Sequence, residues 1–189
     1  MFIFKKKYFF IIESIKDINL KNIKNFGKYN IIYRSNSPEN IKILKKFRHQ
    51  CKIRKIPFFI ANNINLIKNL KADGLYISAY NKNLSLRNLS NKFKIIGSAH
   101  NIKEINLKKL QGCSEIVLSR LFKTTYKNKM DFLGVIKFNL LSKLTNVILT
   151  PLGGINLNNL NNLKNVNCEG VALSSLVKSV SYKIHSFLK

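Results

Sequence analysis

Eight short β-like runs, each followed by a helix-length segment, predict an α/β chain folded as a compact (β/α)8 TIM barrel. Two further observations point the same way. IPFFIAN (56–62) is a continuous apolar run, the mark of a strand covered on both faces. A Gly-Gly pair, Gly153 and Gly154, follows the seventh run, where barrels of the phosphate-binding type hold an anion. At 189 residues the chain reads as one domain, 1–189, and the fold then requires short helices and tight loops. A doubly wound open sheet is the alternative arrangement of the same alternation.

KYFFIIES (7–14) opens the series as a strand, and INLKNIKNF (18–26) is a weakly marked helix. NIIYRS (30–35) is the second strand. SPENIKILKKFRHQC (37–51) reads as a helix, with Ser37 placed to cap it and Pro38 at its first position. Ile43, Leu44, Phe47 and Cys51 fall on one face of it. After the strand at 56–62 come a short helix at 64–70, a strand at 74–78, a helix at 84–93 and a strand at 94–98. A helix at 102–110 and a strand at 115–119 follow. The next helix, 135–144, places Ile136, Leu140 and Leu144 in register. NVILT (146–150), a helix at 155–163, GVALS (170–174) and a closing helix at 175–188 complete the series.

Composition narrows the function. The chain carries 34 basic against 8 acidic side chains, a formal net charge of +26. Such a surplus points towards a polyanion or nucleic acid. The lysines, however, are spread over every helix, amid the Asn and Ile that an AT-rich coding sequence produces. The densest stretch, LKKFRHQCKIRK (44–55), carries its own apolar face, so its charges read as the wet side of a packed helix. No zinc finger or aromatic RNA-binding stretch accompanies the charge, and a nucleic-acid partner is therefore not favoured. No run is long enough to span a membrane. The N-terminal YFFII is too short for a signal peptide and precedes Glu13, so a cytoplasmic location is expected. Cys51, Cys113 and Cys168 are too widely spaced for a zinc site or a disulfide framework.

Gly153 and Gly154 after strand seven, with Ser174 and Ser175 after strand eight, form one candidate phosphate site built from two loops. Backbone N–H groups at glycine, unobstructed by a side chain, suit that task, and a helix starting just beyond would add its free amides and dipole. Arg34, at the end of strand two, should face the mouth of the barrel. His100 is expected to orient the turn after strand five, and Asp73 to bond nearby backbone. His49 and His185 read as surface or packing residues.

IANN (60–63), ADGLYIS (72–78), IIGSAHNIKEI (95–105), LFKTTYK (121–127), LG (133–134), LGGIN (152–156) and GVALSSL (170–176) occur in this order. On them the chain, from Arg34 to about Leu176, resembles the thiamine-phosphate synthase family and its TenI-like relatives. The resemblance implies a phosphate-binding barrel in which a thiazole phosphate nitrogen displaces diphosphate from a pyrimidine methylene carbon. It implies small phosphorylated substrates and leaves a homo-oligomer open. Carried over residue by residue, it makes Arg34 and Lys127 the catalytic cations. Asn62, Ser98 and Thr124 become substrate contacts, with Gly153, Gly154, Ser174 and Ser175 as the phosphate cradle.

The chain also departs from the pattern. The family's two Mg²⁺-holding carboxylates are the amides Asn63 and Asn81, which lack the charge a hard cation needs. Its strand-two Lys is Asn36, its HxGQ stretch becomes Tyr76, Ser78 and Ala79, and Tyr126 replaces a Thr. Arg120 stands where the tautomerases carry a catalytic His. Together with Lys127 it is expected to make up part of the missing metal charge.

Overall fold

The computed structural model describes residues 7–23, 27–124 and 131–179. Eight strands alternate with helical segments. They are β1 Lys7–Ile12, β2 Tyr29–Tyr33, β3 Phe58–Ala61, β4 Gly74–Ile77, β5 Lys94–Ala99, β6 Glu115–Ser119, β7 Ile148–Leu152 and β8 Gly170–Leu173. All pair in parallel in the order β7-β6-β5-β4-β3-β2-β1-β8. β7 and β8 lie side by side without a ladder among the described residues, so the barrel is nearly closed, with one seam.

The side-chain period of two explains why the strands read as unbroken apolar runs. On β1, Phe9 and Ile11 point into the barrel and meet Ile32, Phe59, Tyr76, Ile96, Val117 and Ala172. Tyr8, Phe10 and Ile12 point outwards into the layer between sheet and helices. Tyr29 stacks on Phe10 there at 5.2 Å, and Phe47 meets Phe58 edge-on at 5.6 Å. Each aromatic ring removed from water stabilises the fold by about 1.5–3 kcal/mol.

The helices are α1 Ile41–Ile53, α2 Ile64–Leu70, α3 Ile102–Leu110, α4 Gly134–Leu144 and α5 Ser175–Ser179. α2 and α3 match the expected bounds. α1 starts later than the sequence suggests: Asn40, not Ser37, caps it by accepting from Lys42 N. Its buried face is Leu44, Phe47 and Cys51, and Ile43 lies outside it. Two expected helices, after β4 and β7, are 3₁₀ segments, Leu84–Leu89 and Leu157–Asn165. In the second, the apolar residues recur every third position (Leu157, Leu160, Leu163), the period that a 3₁₀ turn stacks on one side. Between β1 and β2 the chain makes two 3₁₀ turns, Ile15–Asp17 and Leu20–Asn22, rather than the expected helix. α4 is rotated from the expected face. Phe138 is fully buried, while Ile136 is 86% exposed and Leu140 and Leu144 face outwards. The closing helix is described to Ser179, and its expected remainder lies outside the described residues.

None of Cys51, Cys113 and Cys168 is in a disulfide. Burial pushes the thiols of Cys51 and Cys113 up from 9.0 to about 12. Because these folded-state values are raised, their contribution to stability is complete below about pH 9. It is lost as the pH climbs towards 12, where the unfolded chain sheds its protons first. In the folded protein at pH 8, an alkylating reagent should label half-buried Cys168 first. Cys51 and Cys113 should react only after denaturant is added, as read by intact mass and peptide mapping.

Candidate functional site

Two adjoining cavities open at the C-terminal ends of the strands, the end where a barrel of this kind carries its site. The first, about 570 Å³, is bordered by Arg34, Arg120, Thr124, Gly153, Gly154 and Ser174, among others. The second, about 540 Å³, is bordered by Glu13, Ser35, Ser78, Tyr80 and Ser98. Arg34, His100, Ser119 and Leu152 belong to both, so the two form one mouth with Arg34 at its middle. Each is of the size that takes a small molecule.

The Gly-Gly pair directly follows β7 and packs against the segment after β6. Gly153 has φ 98° and Gly154 has φ 69°, values that L side chains adopt at a cost. A Cβ on Gly154 would lie 2.4 Å from Phe122 O and 2.5 Å from Lys123 O. The glycines therefore let the segment after β6 close onto the loop after β7. That closure is hydrogen-bonded: Leu121 N donates to Leu152 O at 2.9 Å, and Phe122 N to Gly153 O at 3.0 Å. The side chain of Asn159 donates to Gly154 O at 2.7 Å. The carbonyls of Gly153 and Gly154 are engaged, while the backbone N–H groups of Gly153, Gly154 and Ile155 meet no acceptor among the described residues. All three residues border the first cavity, beside Arg34 and Arg120. Free backbone amides next to guanidinium groups have the chemistry that suits an anion.

The helix N-terminus expected to assist them does not do so. The segment from Leu157 is a 3₁₀ helix whose first amides are taken by its own capping box, Asn156 with Asn159. The free donors are the loop amides just before it.

Loops on the opposite side are held by a network of amides. Asn62, at φ 54°, donates through Nδ2 to Ser78 Oγ at 2.7 Å and to the Tyr80 hydroxyl at 2.9 Å. Its Oδ1 accepts from Ser78 N and from Asn81 Nδ2. His100 is tied to Glu104 through both its backbone N–H, at 2.8 Å, and Nδ1, at 2.9 Å, which orients the turn after β5 as expected. Asp73 accepts from Phe58 N at 2.6 Å and pairs with Arg48 at 2.8 Å.

Arg34, Arg120, Thr124, Gly153, Gly154, Ser174 and Ser175 thus come together in the first cavity, and Ser98 in the second. Asn62 and Asn63 border neither: Asn62 is the hub of the loop network, and Asn63 caps α2 by accepting from Leu66 N. Lys127 and Tyr126 lie outside the described residues.

Other polar groups complete the mouth. The Thr124 hydroxyl, on a residue the sequence already names, is buried without a partner among the described residues. Inside the barrel the Tyr76 hydroxyl is likewise buried, with no partner of good geometry among the described residues. Burial raises its pKa, against the opposing pull of the Ser98 hydroxyl and the Arg34 charge. Glu13 reaches Arg34 at 3.8 Å, a loose pair in which both side chains are about half exposed. Sequence reading missed Glu13, whose one signal is its place just after β1.

The chain matches the family model for thiamine monophosphate synthase over residues 21–177. Among curated relatives, the thiamine-phosphate synthase of Prochlorococcus marinus subsp. pastoris is 31% identical over 142 residues, covering 74% of this chain and 40% of that protein. The thiamine-phosphate synthase of Methanococcus vannielii is 24% identical over 156 residues, covering 82% and 76%. The chain spans only about two fifths of the length of the first two relatives, 40% and 42%. Among solved structures, a thiamine phosphate pyrophosphorylase from Pyrococcus furiosus superposes with a TM-score of 0.73 at 16% identity, covering 97% and 96%. At that identity it speaks for the fold alone. An aldolase of the 4-hydroxy-2-oxoglutarate type also superposes, at TM-score 0.63 and 12% identity, covering 98% and 96%, so the architecture hosts other chemistry too. No helix among the described residues is long and apolar enough to cross a membrane.

Proposed function

This chain belongs to the thiamine monophosphate synthase family, and we propose that it joins a pyrimidine diphosphate to a thiazole phosphate with release of diphosphate. The observation that carries the reading is the first cavity, which Gly153, Gly154 and Ile155, whose amides meet no acceptor among the described residues, border together with Arg34 and Arg120. Bond breaking at the methylene carbon leaves negative charge on the departing diphosphate. Fixed cations and backbone donors at that point lower the barrier, because they need no reorganisation as the charge grows. In this reading the amides of 153–155 and the loop at Ser174 hold the thiazole phosphate. Arg34, shared by both cavities, meets the diphosphate, with Arg120 as the second cation. Ser98 and Tyr80 line the half left for the pyrimidine. Lys127 keeps its proposed role through the LFKTTYK stretch alone.

One observation favours a second reading, a relative that binds thiazole phosphate or thiamine phosphate without turnover. The two family carboxylates are amides engaged in local structure, Asn63 as a helix cap and Asn81 within the loop network. An assay of purified protein with both substrates, its product followed by chromatography, separates the two. Thiamine phosphate should form, and Lys127→Ala should lower its rate by 10²-fold or more, in keeping with a lost charge contact at the leaving group. No product, with thermal protection by thiamine phosphate, would establish the second reading.

A further inference from the structure

We propose that this site takes its diphosphate without a divalent cation, the loop above it being held from below by the buried ammonium of Lys108. The inference rests on the reading of the mouth as a diphosphate site. Magnesium requires about six hard oxygen ligands in near-octahedral array, usually including carboxylates. The positions that would supply carboxylates do not fit. Asn63 Oδ1 accepts from Leu66 N at 2.9 Å, and Asn81 Oδ1 accepts from Asn83 N at 3.0 Å. The remaining half of the Asn81 amide, Nδ2, donates to Asn62 at 3.2 Å. Both oxygens are neutral and already engaged, and among the described residues no group of three His, Cys, Asp or Glu side chains is placed to hold a metal ion.

Beneath the same loop lies a positive charge that the fold itself provides. Lys108, on α3, is 0% exposed. Its Nζ donates to Ser78 O at 2.8 Å, Asn81 O at 2.7 Å and Gln111 Oε1 at 2.9 Å. Three oxygen acceptors around one nitrogen fit the protonated amine, since a neutral one would turn its lone pair on an oxygen. Burial nevertheless pulls its pKa below the ordinary lysine value, with Cys113 and Glu104 drawing it back up. No carboxylate is among its hydrogen-bond partners, so the cost of burying the charge is met mainly by the two loop carbonyls and the Gln111 amide oxygen. Gln111 completes the clamp by donating to Asn81 O at 3.1 Å and Asn83 O at 2.9 Å. Both lone pairs of the Asn81 carbonyl are thereby taken. Ser78 and Tyr80 on this loop border the second cavity, and both are bonded to Asn62. Lys108 is therefore a positioning residue: α3 fixes the loop, and the loop fixes the wall of the site.

The test is calorimetric titration of the full chain with inorganic diphosphate, in EDTA and in excess Mg²⁺, alongside inorganic phosphate. Binding in EDTA that Mg²⁺ does not tighten supports the proposal. Tightening of tenfold or more by Mg²⁺ overturns it while leaving the diphosphate site standing. Binding in neither condition removes the site reading and the inference together. Lys108→Met should weaken diphosphate binding by about tenfold, as expected for lost charged hydrogen bonds. It should spare inorganic phosphate, which the loop amides of 153–155 hold. Unchanged diphosphate affinity in a folded Lys108→Met protein overturns the positioning role. If that variant does not fold, the metal comparison on the native chain still decides the proposal.

Discussion

Gly154→Ala should leave a folded barrel that no longer gains thermal protection from inorganic phosphate. Alanine at φ 69° costs about 1–2 kcal/mol in backbone strain alone. The larger effect is steric. The new methyl would sit 2.4 Å from Phe122 O and 2.5 Å from Lys123 O, both main-chain atoms that cannot rotate away. Either the loop after β7 or the segment after β6 must move, and with it the register between the free amides and Arg120 and Thr124. Losing one charge-assisted hydrogen bond costs about 1.5–3 kcal/mol, so affinity should fall roughly ten- to a hundredfold. Gly153→Ala is the comparison: φ 98° strains alanine there as well, but its Cβ would meet Arg120 Cγ, Cβ and Cα at 3.0–3.2 Å, a smaller overlap. Calorimetry with phosphate on the two variants measures the difference. A Gly154→Ala protein that binds phosphate like the parent would mean that the glycines serve chain closure only.

The barrel was legible because its strands cannot be anything else. A run such as Tyr8–Ile12 is buried on both faces, with Phe9 and Ile11 inside and Tyr8, Phe10 and Ile12 outside, so it stays apolar throughout. Helix faces were less legible. In VIKFNLLSKL, Ile136, Leu140 and Leu144 make one stripe, but Val135, Phe138 and Leu141 make another, and periodicity cannot rank them. The structure turns the second inwards, where the large ring of Phe138 is fully buried. Two helix starts were misplaced for a related reason. Asn40 caps α1 and Asn156 caps the segment from Leu157, and in a chain this rich in Asn a capping residue does not stand out.

At the site, residues that follow a strand end were found from order alone, since the fold itself carries Arg34, Gly153 and Ser174 to one rim. Ser98, inside β5, was named by the resemblance alone. The support beneath it was not. A lysine and a glutamine on α3, three positions apart, look like any solvated helix face. Only the structure shows Lys108 and Gln111 turned inwards against the carbonyls of the loop after β4. The high positive charge gave equally little guidance: of its 34 basic side chains, the site reading uses Arg34, Arg120, Lys108 and Lys127.

Arg34 is where that charge should matter most. It borders both cavities, so it is placed to touch the group that passes from one half of the site to the other. Its recorded ion pair is Glu13 at 3.8 Å, and both side chains remain about half exposed, so the pair is weak and screened. An arriving anion can thus take the guanidinium at little cost. Arg34→Met keeps much of the aliphatic stem and removes the charge and its fork of donors. Diphosphate affinity should fall about a hundredfold, the loss of roughly two charged hydrogen bonds at close to 1.4 kcal/mol each. Glu13→Gln should move the other way, raising affinity a few-fold as the competing carboxylate is neutralised. Added salt should narrow that gain more than the Arg34→Met loss, since a bidentate contact in a cavity is screened less than an exposed pair. Opposite signs in the two variants would place the diphosphate against Arg34. Equal affinities in both would move it out of the shared centre and onto Arg120.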